Sequence, residues 1–490
     1  MKHSQPAQLS YFFHGGFIDL SQVIGGAFGH CGDIISRSAE GIAGAWGNLR
    51  EKFRYDGFWS GLLSLPLFIG KFSFYLVRLI ATAVITPLIC FSLTIFQMTL
   101  LLAFFSVALV FFGLIILLDR IYCAINAIAT HCPVCQNKFI LPVYVCSCGR
   151  KHDRLRPGVY GILYRRCDCG NKIPTTFFNG RHKLSALCPH CQNNIKGGGL
   201  HASWCIPVVG GPSSGKTCYI NMTMMSLERR ALSEYGLRFE YENNGLDEYK
   251  DNSDRLSRGY LPEKTTDNRL RYYQFNLTPK GATRQQISLC DVAGELFDVT
   301  NIALGGNAIK TQIGFRYANA FILIIDPLSI SKYRDEVSKT TSVNQYKGSA
   351  QPIDEMVDAF INTLQNMFSI KANDLLSSDV AVVIAKADIP GLNDKIGESA
   401  VMKNAPSHDL KTRYKTQNEL CEKFLREYNE ESFLINLKSR FKGVQFFTCS
   451  ALGHIENGQP FVASKVEEPF FWLMKKKSKV IEKAIKSRGK

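Results

Sequence analysis

The stretch Gly210-Gly-Pro-Ser-Ser-Gly-Lys-Thr217 decides the fold of the C-terminal part of this chain. An apolar segment, residues 205–209, precedes it, and residues 218–228, which suit a helix, follow it. Glycines between a strand and a helix allow backbone N–H groups to wrap around phosphate groups. The pattern therefore predicts a phosphate-binding loop that joins a strand to a helix.

The side chains of this loop have separate expected roles. Lys216 should reach the β- and γ-phosphates of a nucleotide, and Thr217 should bind Mg²⁺ through its hydroxyl group. The backbone of the loop should bind the other phosphate oxygens. The predicted nucleotide-binding residues of the loop are Gly211, Ser213, Ser214, Gly215, Lys216, Thr217 and Cys218.

A second element follows the apolar segment 286–290. It begins with Asp291, whose carboxylate is expected on Mg²⁺, and it continues to Gly294 and Glu295. The N–H of Gly294 can bind the γ-phosphate and move when that phosphate leaves. A threonine that contacts Mg²⁺ is expected on a mobile segment before the strand 272–277, where we favour Thr266 over its neighbour Thr265.

Two further elements predict a base-binding pocket. Lys386 and Asp388 follow the apolar segment 380–384, and Ser450 and Ala451 follow the segment 444–447. A carboxylate can accept the N1 and N2 hydrogens of guanine, whereas adenine carries no hydrogen on N1. The lysine stem can lie along the base, and backbone N–H groups at the last element can meet the guanine O6.

From residue 204 onward, short β-branched strands alternate with helical stretches, which predicts an α/β fold with a mostly parallel sheet. The polar stretch 331–356 is expected to be a surface insertion. The order of the four elements resembles the Ras-like, translation-factor-related class of P-loop GTPases over residues 204–486. The domain itself is assigned to residues 204–490, including a basic C-terminal tail.

Within that class, the chain looks like the bacterial double-GTPase families, in particular the branch with a zinc-ribbon module before the phosphate loop. The closer resemblance rests on His152-Asp-Arg-Leu155-Arg-Pro157-Gly158-Val-Tyr160-Gly161, Cys167-Asp-Cys169-Gly170, Ile173-Pro174-Thr175, Gly180-Arg181, Cys188-Pro-His-Cys191 and Asp326-Pro327-Leu328-Ser329. It implies a GTPase that uses GTP and Mg²⁺, and a role in bacterial conflict or defence modules.

Two positions depart from the pattern of the wider family. Ala385 stands where that family has Asn or Thr, so a side-chain bond that braces the phosphate loop is lost. Glu295 stands where a water-orienting Gln is usual, and its carboxylate adds negative charge beside an anionic transition state. We therefore expect slow intrinsic hydrolysis that a partner or self-association raises, with a non-hydrolysing nucleotide-binding scaffold as one alternative.

The segment 131–200 is expected to be a double zinc ribbon with two closed, structural Zn²⁺ sites. The nearest pairing in sequence joins the first two cysteine pairs to each other and the last two to each other, but the ribbons could also exchange ligands. His131, His152, His182 and His190 are alternative ligands. The predicted metal ligands are Cys132, Cys135, Cys146, Cys148, Cys167, Cys169, Cys188 and Cys191.

The stretch from Leu79 to Leu118 contains no charged residue, which predicts transmembrane helices within residues 57–120. We expect two spans over 79–118 with a turn near 96–99, and 58–77 as a third span or an interfacial helix. A buried helical hairpin of a soluble protein is the alternative. Residues 1–56 are Gly-rich, and the sequence assigns them no fold.

The charge distribution predicts on which side of the membrane the sites lie and which partners the chain binds. The chain has a net charge of +16, and basic residues flank the apolar run on both sides. The positive-inside rule then places the metal and nucleotide sites on the cytosolic side of the inner (cytoplasmic) membrane. Expected partners are membrane lipids, unidentified protein effectors or activators, and further copies of the chain, with a nucleic-acid sensor as a further alternative.

Overall fold

The structure is a computed structural model of the 490-residue chain. It describes residues 6–11, 14–125, 130–132, 135, 137–195, 202–242, 246–263, 271–292, 318, 320–346, 348–349, 351–368, 371, 376–407 and 409–488. Its contacts divide the chain into two units, one of residues 1–122 with 143–185 and one of residues 123–142 with 186–490. The segment 131–200, expected as one module, therefore contributes to both units.

Long helices dominate the first unit. They are α1 (Gly15–Tyr55), α2 (Phe58–Ile80) and α3 (Thr86–Ile125), with a π-helical turn at Ala81–Ile85 between the last two. The π-helical turn lies just before Pro87, which cannot donate a backbone hydrogen bond to the preceding turn. The helix continues through residues 96–99, so the predicted turn there, and with it the predicted hairpin over 79–118, is wrong. The stretch 88–112 contains no Gly, Pro or Asn that would end a helix.

The Gly-rich N-terminal segment forms a helix that runs antiparallel to α2 and α3. The rings of Phe17 and Phe105 lie 6.4 Å apart near one end, and those of Trp46 and Phe68 lie 5.8 Å apart near the other. Gly41 lies against the ring of Tyr75, where a Cβ atom would come within 2.5 Å of the ring. Small residues thus let this helix approach its neighbour, although its own sequence is only weakly apolar.

Among the described residues, one helix, Phe58–Ile125, is long and apolar enough to cross a membrane, and its most apolar window is not buried. The uncharged run of 40 residues alone would be about 60 Å long as a helix, against about 30 Å for the hydrocarbon core of a bilayer. The run is therefore long enough for one crossing with length to spare.

The first unit also contains two short hairpins, formed by β3 (Val143–Val145) with β4 (Lys151–His152) and by β5 (Tyr164–Arg166) with β6 (Lys172–Pro174). A buried ion pair connects this part to the end of α3. Arg181 Nη2 lies 3.2 Å from Asp119 Oδ2, and Asp119 Oδ1 accepts a hydrogen bond of 2.7 Å from the backbone N–H of Phe177. Both charged side chains are almost fully buried, so each depends on the other for compensation.

Replacing Asp119 by alanine should destabilise the first unit by about 3–5 kcal/mol, because the Arg181 guanidinium would stay buried without a carboxylate. The measurement is the urea concentration at which residues 143–185 become sensitive to protease in the full-length chain in detergent micelles. Asp153→Ala, which removes an exposed carboxylate from the same segment, is the control. Equal midpoints for the two variants would show that the ion pair contributes nothing to this unit.

The second unit begins with the short strands β1 (Thr130–His131), β2 (Lys138–Phe139), β7 (Ala186–Leu187) and β8 (Asn194–Ile195). Its larger sheet contains β9 (Ala202–Gly210), β10 (Leu237–Tyr241), β11 (Arg271–Pro279), β12 (Gln285–Asp291), β13 (Ala320–Ile325), β14 (Leu376–Ile384) and β15 (Phe441–Thr448). These described strands follow the order β10-β11-β12-β9-β13-β14-β15. Strand β12 pairs in parallel with β9, and β9, β13, β14 and β15 continue in parallel, while β10 and β11 are antiparallel. The expected α/β fold with a mostly parallel sheet is confirmed.

Helices cover both faces of this sheet. Along β13, Phe321, Leu323 and Ile325 belong to one hydrophobic core, and Ile322 and Ile324 belong to the core on the other face. This strand is buried on both sides, which explains its unbroken apolar sequence. The helices are α4 (Lys216–Tyr235), α5 (Leu246–Ser257), α6 (Ser331–Ser338), α7 (Ile353–Phe368), α8 (Leu392–Ile396), α9 (Glu398–Asn404), α10 (Leu410–Glu427), α11 (Glu431–Arg440), α12 (Glu468–Lys477) and α13 (Lys479–Arg488).

The polar stretch 331–356, expected as a surface insertion, contains α6, the start of α7 and a short 3-10 turn, Val343–Tyr346. The parallel strands all end at the same edge of the sheet, where ligands of open α/β sheets bind. That edge collects the ends of β9, β12, β13, β14 and β15, and so brings together residues that are far apart in sequence.

Candidate nucleotide site and metal centres

The phosphate loop lies between β9 and α4. Gly215 has a φ of 89° and Ser213 has a φ of 58°, so the backbone passes through the left-handed region at both residues. A Cβ atom on Gly210 would come within 2.6 Å of the carbonyl oxygen of Ile324, so the close approach of the strands requires glycine. Lys216 is mostly buried, and its Nζ lies 3.0 Å and 2.8 Å from the carbonyl oxygens of Gly210 and Gly211.

The two predicted Mg²⁺ ligands lie in contact. Thr217 Oγ1 donates a hydrogen bond of 2.6 Å to Asp291 Oδ2, although the two residues are 74 positions apart in the sequence. Asp291 is buried at the end of β12, beside the start of α4. A hydroxyl and a carboxylate are ligands that Mg²⁺ accepts, so the pair suits this ion. Gly294, Glu295 and Thr266 lie outside the described residues.

Two loops form the predicted base pocket. Ser450 Oγ donates a hydrogen bond to Asp388 Oδ1, and the N–H of Gly453 donates to Ser450 Oγ at 2.7 Å. The backbone N–H of Ala387 donates to the carbonyl of Cys449 at 3.0 Å, so the loops are also joined through their backbones. The serine therefore fixes the carboxylate that is expected to bind guanine.

One cavity is lined by residues of the phosphate loop and of both base-pocket loops. Its lining includes the predicted nucleotide-binding residues Ser214, Gly215, Cys218, Lys386, Asp388 and Ala451. Of the five remaining predicted residues, Gly211, Ser213, Lys216 and Thr217 belong to the same phosphate loop, and Ser450 precedes Ala451 and is bonded to Asp388. The predicted nucleotide-binding residues therefore lie at one edge of the sheet.

Other cavity residues were not expected from the sequence. Gln345 and Tyr346 come from the 3-10 turn, and Leu261 and Glu456 come from two further loops. The N–H of Leu261 lies 3.4 Å from Glu456 Oε1, which joins the segment after α5 to the loop after β15. No motif marks these positions, because each becomes part of the site only through the tertiary fold.

Lys386 has a partner that no sequence motif marks. Its Nζ lies 2.7 Å from Asp326 Oδ2 and 3.0 Å from the carbonyl oxygen of Tyr346. Asp326 is an acidic residue directly after an apolar strand, the same signal that led to Asp291. It belongs to the stretch 326–329 that carries part of the family resemblance, and no motif gives it a role.

The eight clustered cysteines form two groups of four, and within each group all the sulfur atoms lie within 4.8 Å of one another. One group contains Cys132, Cys135, Cys188 and Cys191, and the other contains Cys146, Cys148, Cys167 and Cys169. The first and last cysteine pairs in the sequence therefore form one group, the outer group, and the two middle pairs form the inner group. The sequential pairing is wrong, and the exchange of ligands is the arrangement found, because residues 143–185 fold within their own unit.

The geometry of both groups suits a tetrahedral metal ion. Two sulfur pairs are 3.4 Å and 3.7 Å apart in the outer group, and two are 3.7 Å and 3.8 Å apart in the inner one. Four sulfurs at about 2.3 Å from a tetrahedral zinc ion would be about 3.8 Å apart. In the described part of the chain, no histidine joins either group.

Each group also contains a thiol that ionises easily. Burial raises the pKa of Cys146, but the N–H of Cys148 and neighbouring groups outweigh this and lower the pKa to about 6. Burial likewise raises the pKa of Cys191, while the backbone and side chain of Asn193 lower it to about 6. A backbone hydrogen bond from Asn171 lowers the pKa of Cys169, but burial and the neighbouring sulfurs raise it to about 12, and burial raises the pKa of Cys188. Because metal ions bind the thiolate form, Zn²⁺ binding at either group would release protons from these thiols.

Residues 204–430 match the protein family described as DO-GTPase2, Double-GTPase 2. No curated protein matches the chain. Similar solved structures include the GTPase-like domain of S. cerevisiae Ski7 bound to GTP, at 11% identity and a TM-score of 0.26, covering 51% of this chain and 43% of that one. The mammalian SRP receptor is similar at 14% identity and a TM-score of 0.21, covering 50% of this chain and 91% of that one. The chain thus spans less than half of the Ski7 chain.

Proposed function

Since residues 204–430 match the double-GTPase family, we propose that this chain is a membrane-anchored switch that binds GTP and hydrolyses it slowly with Mg²⁺. The observation that carries the proposal is the contact between Thr217 and Asp291 beside Lys216. The paired Asp388 and Ser450 lie at the same edge of the sheet. Phosphate, metal and base ligands therefore occur together, as a nucleotide requires.

The residues would divide the work as follows. Lys216 neutralises the β- and γ-phosphates, and Thr217 and Asp291 hold Mg²⁺, which would supply further positive charge to the phosphates. We assign Gly294 to sensing the γ-phosphate, Glu295 to the position beside the attacking water, and Thr266 to the metal. A carboxylate at 295 accepts a hydrogen bond from water but repels the transition state, which supports slow intrinsic hydrolysis.

We further place the chain in the inner (cytoplasmic) membrane, with its metal and nucleotide sites on the cytosolic side. The exposed apolar helix Phe58–Ile125 supports the anchor. The closely paired cysteines, which bind metal as reduced thiolates, support the cytosolic side, because that compartment is reducing. A role in bacterial conflict or defence rests on the family resemblance alone.

Both cysteine groups are proposed to be structural Zn²⁺ sites, because four ligands close each of them. Lipids, protein effectors or activators, and further copies of the chain are the proposed partners. The nucleic-acid sensor is less well supported, because some of its basic residues face inward. Arg165 and Arg181 are almost fully buried, and Arg150 lies 3.7 Å from Asp168.

Isothermal titration of the full-length chain in detergent micelles with GTP, GDP, ATP and XTP, all with Mg²⁺, tests the proposal. Wild type should prefer guanine nucleotides. Asp388→Asn should lose about 2–3 kcal/mol of GTP binding, a roughly 30- to 150-fold rise in Kd, because an amide offers N–H groups to the hydrogens of guanine. It should bind XTP better, because the amide can donate to the O2 of xanthine.

Asp394→Asn, an exposed position on the following helix, is the control and should leave all the affinities unchanged. Preference of the wild type for ATP, or absence of any nucleotide binding, would overturn the proposed function. GTP binding without turnover would instead leave a nucleotide-binding scaffold.

A further inference from the structure

We propose that Asp326 is a positioning residue for guanine recognition, which connects the base loop to the phosphate loop in place of the side chain that Ala385 lacks. The inference rests on the proposed function, since it concerns the same nucleotide pocket. It assigns a role to a residue that touches neither the phosphates nor the base, and that acts through Lys386.

Asp326 is a buried carboxylate that accepts three hydrogen bonds. It follows β13 directly and is 2% exposed. Its Oδ2 accepts from Lys386 Nζ and from the backbone N–H of Ser349, both at 2.7 Å, and its Oδ1 accepts from the N–H of Leu328 at 3.0 Å. A buried charge is retained only with such compensation, so Asp326 fixes all three of its donors.

Lys386 is held at both ends. Its backbone has a φ of 55°, a left-handed conformation that lysine rarely adopts and that its surroundings must maintain. Its ammonium group binds Asp326 and the carbonyl of Tyr346, and the residue lines the cavity. With both ends fixed, the four-carbon stem presents a rigid apolar surface on which a purine base can lie.

The segment that Asp326 holds also abuts the phosphate loop. A Cβ atom on Gly211 would lie 2.9 Å from Ser349 Oγ and 3.3 Å from Gln351 Oε1, so this segment leaves no room for a side chain there. A chain of contacts therefore runs from Lys386 through Asp326 and Ser349 to Gly211. Both loops keep their relative position through it.

Ala385 explains why this connection is needed. It is buried and lines the cavity, and its side chain has no polar atom, so it cannot reach the phosphate loop as Asn would. Its backbone N–H donates to the carbonyl of Ile325, the residue just before Asp326. The carboxylate at 326 thus lies beside the position where the family's bracing side chain is missing.

Hydrogen–deuterium exchange of the nucleotide-free, full-length chain in detergent micelles tests the connection without any ligand. In Asp326→Asn, amide exchange should become at least about tenfold faster both in 345–349 and in the phosphate loop 210–217. The control is Asp379→Asn, which breaks ion pairs with Lys476 and Lys477 of α12. Asp379 lies on β14 in the same sheet, several residues before the end of the strand that meets the cavity. Faster exchange confined to 345–349 would overturn the connection to the phosphate loop.

Titration with GTP and ATP then tests the effect on recognition. Asp326→Asn should raise the Kd for GTP about tenfold and should lower the ratio of GTP to ATP affinity. The loop that Lys386 anchors also carries Asp388, which can accept the hydrogens of guanine but meets no N1 hydrogen on adenine. A merely structural role would weaken both nucleotides equally. Adding Ala385→Asn to this variant should restore the ratio, because the amide supplies the bracing directly.

The outcomes separate the two proposals. An unchanged affinity ratio in Asp326→Asn, with wild type binding GTP and Lys216→Ala failing to bind it, overturns the positioning role and leaves the GTPase intact. Absence of GTP binding in wild type overturns the proposed function, whatever the exchange rates show. Should Asp326→Asn fold poorly, Asp326→Glu retains the charge but shifts it by one methylene, and the same loss of selectivity is expected.

Discussion

A chain with Lys216→Ala should bind GTP more than about 100-fold more weakly than wild type and should show no measurable hydrolysis. The ammonium group is mostly buried beside the loop that would hold the phosphates, so its charge is poorly screened by water. Opposite charges at about 4 Å interact with about 4 kcal/mol at an effective dielectric constant of 20, and 1.4 kcal/mol is a factor of ten in Kd. Titration calorimetry and phosphate release under multiple-turnover conditions measure the two effects.

The fold should survive this substitution. Lys216 Nζ contacts the carbonyl oxygens of Gly210 and Gly211 in its own loop, and the surrounding helix α4 is anchored by apolar residues such as Ile220 and Leu227. Lys423→Ala, at an exposed position on α10, is the matched control and should bind GTP as wild type does. GTP affinity within threefold of wild type in Lys216→Ala would contradict the site as described.

The position of the candidate nucleotide-binding residues was largely predictable from the sequence because each of their segments follows an apolar strand. Parallel strands end at one edge of a sheet, so Thr217, Asp291 and Asp388 had to come near one another once the strands were recognised. Asp326 was harder to interpret because its role depends on what Ala385 lacks. The position of Tyr346 in the cavity could not be predicted, because this residue belongs to the polar stretch 331–356, which contains no motif.

The apolar segment 79–118 shows a different limit of prediction from sequence. A uniformly apolar run predicts a helix. It does not show where a turn between two helices lies unless a residue that ends helices, such as Gly, Pro or Asn, occurs in it. The turn near 96–99 was therefore inferred from length alone and was wrong. The actual partner of this helix is α1, whose glycines lower its helix propensity but permit close packing at Gly41.

The spacing of the cysteines could predict metal binding but not which pairs combine. Each pair supplies two sulfurs from one turn, and any other pair can complete the tetrahedron. The choice depends on how the intervening chain folds, and here residues 143–185 fold within one unit while the outer pairs belong to the other. Counting zinc ions in double variants can distinguish the two arrangements.

The variant Cys132→Ser/Cys188→Ser should keep one of two zinc ions per chain, because both substitutions fall in the outer group. In contrast, Cys132→Ser/Cys146→Ser should lose both ions, since it damages each group once. Sequential pairing would give the reverse result for the two variants. Elemental analysis of the purified full-length chain in micelles provides the count, with wild type expected to contain two ions.

Loss of an ion should also unfold the ribbon that held it. Zinc binding contributes about 10–16 kcal/mol to the folding of small thiolate sites, more than the few apolar residues around the outer group can supply. Removal of the outer group should therefore expose residues 130–142 and 186–195 to protease, while residues 143–185 stay protected. Because the outer group belongs to the same unit as the candidate nucleotide site, GTP binding by Cys132→Ser/Cys188→Ser also measures whether that ribbon supports the site or only precedes it.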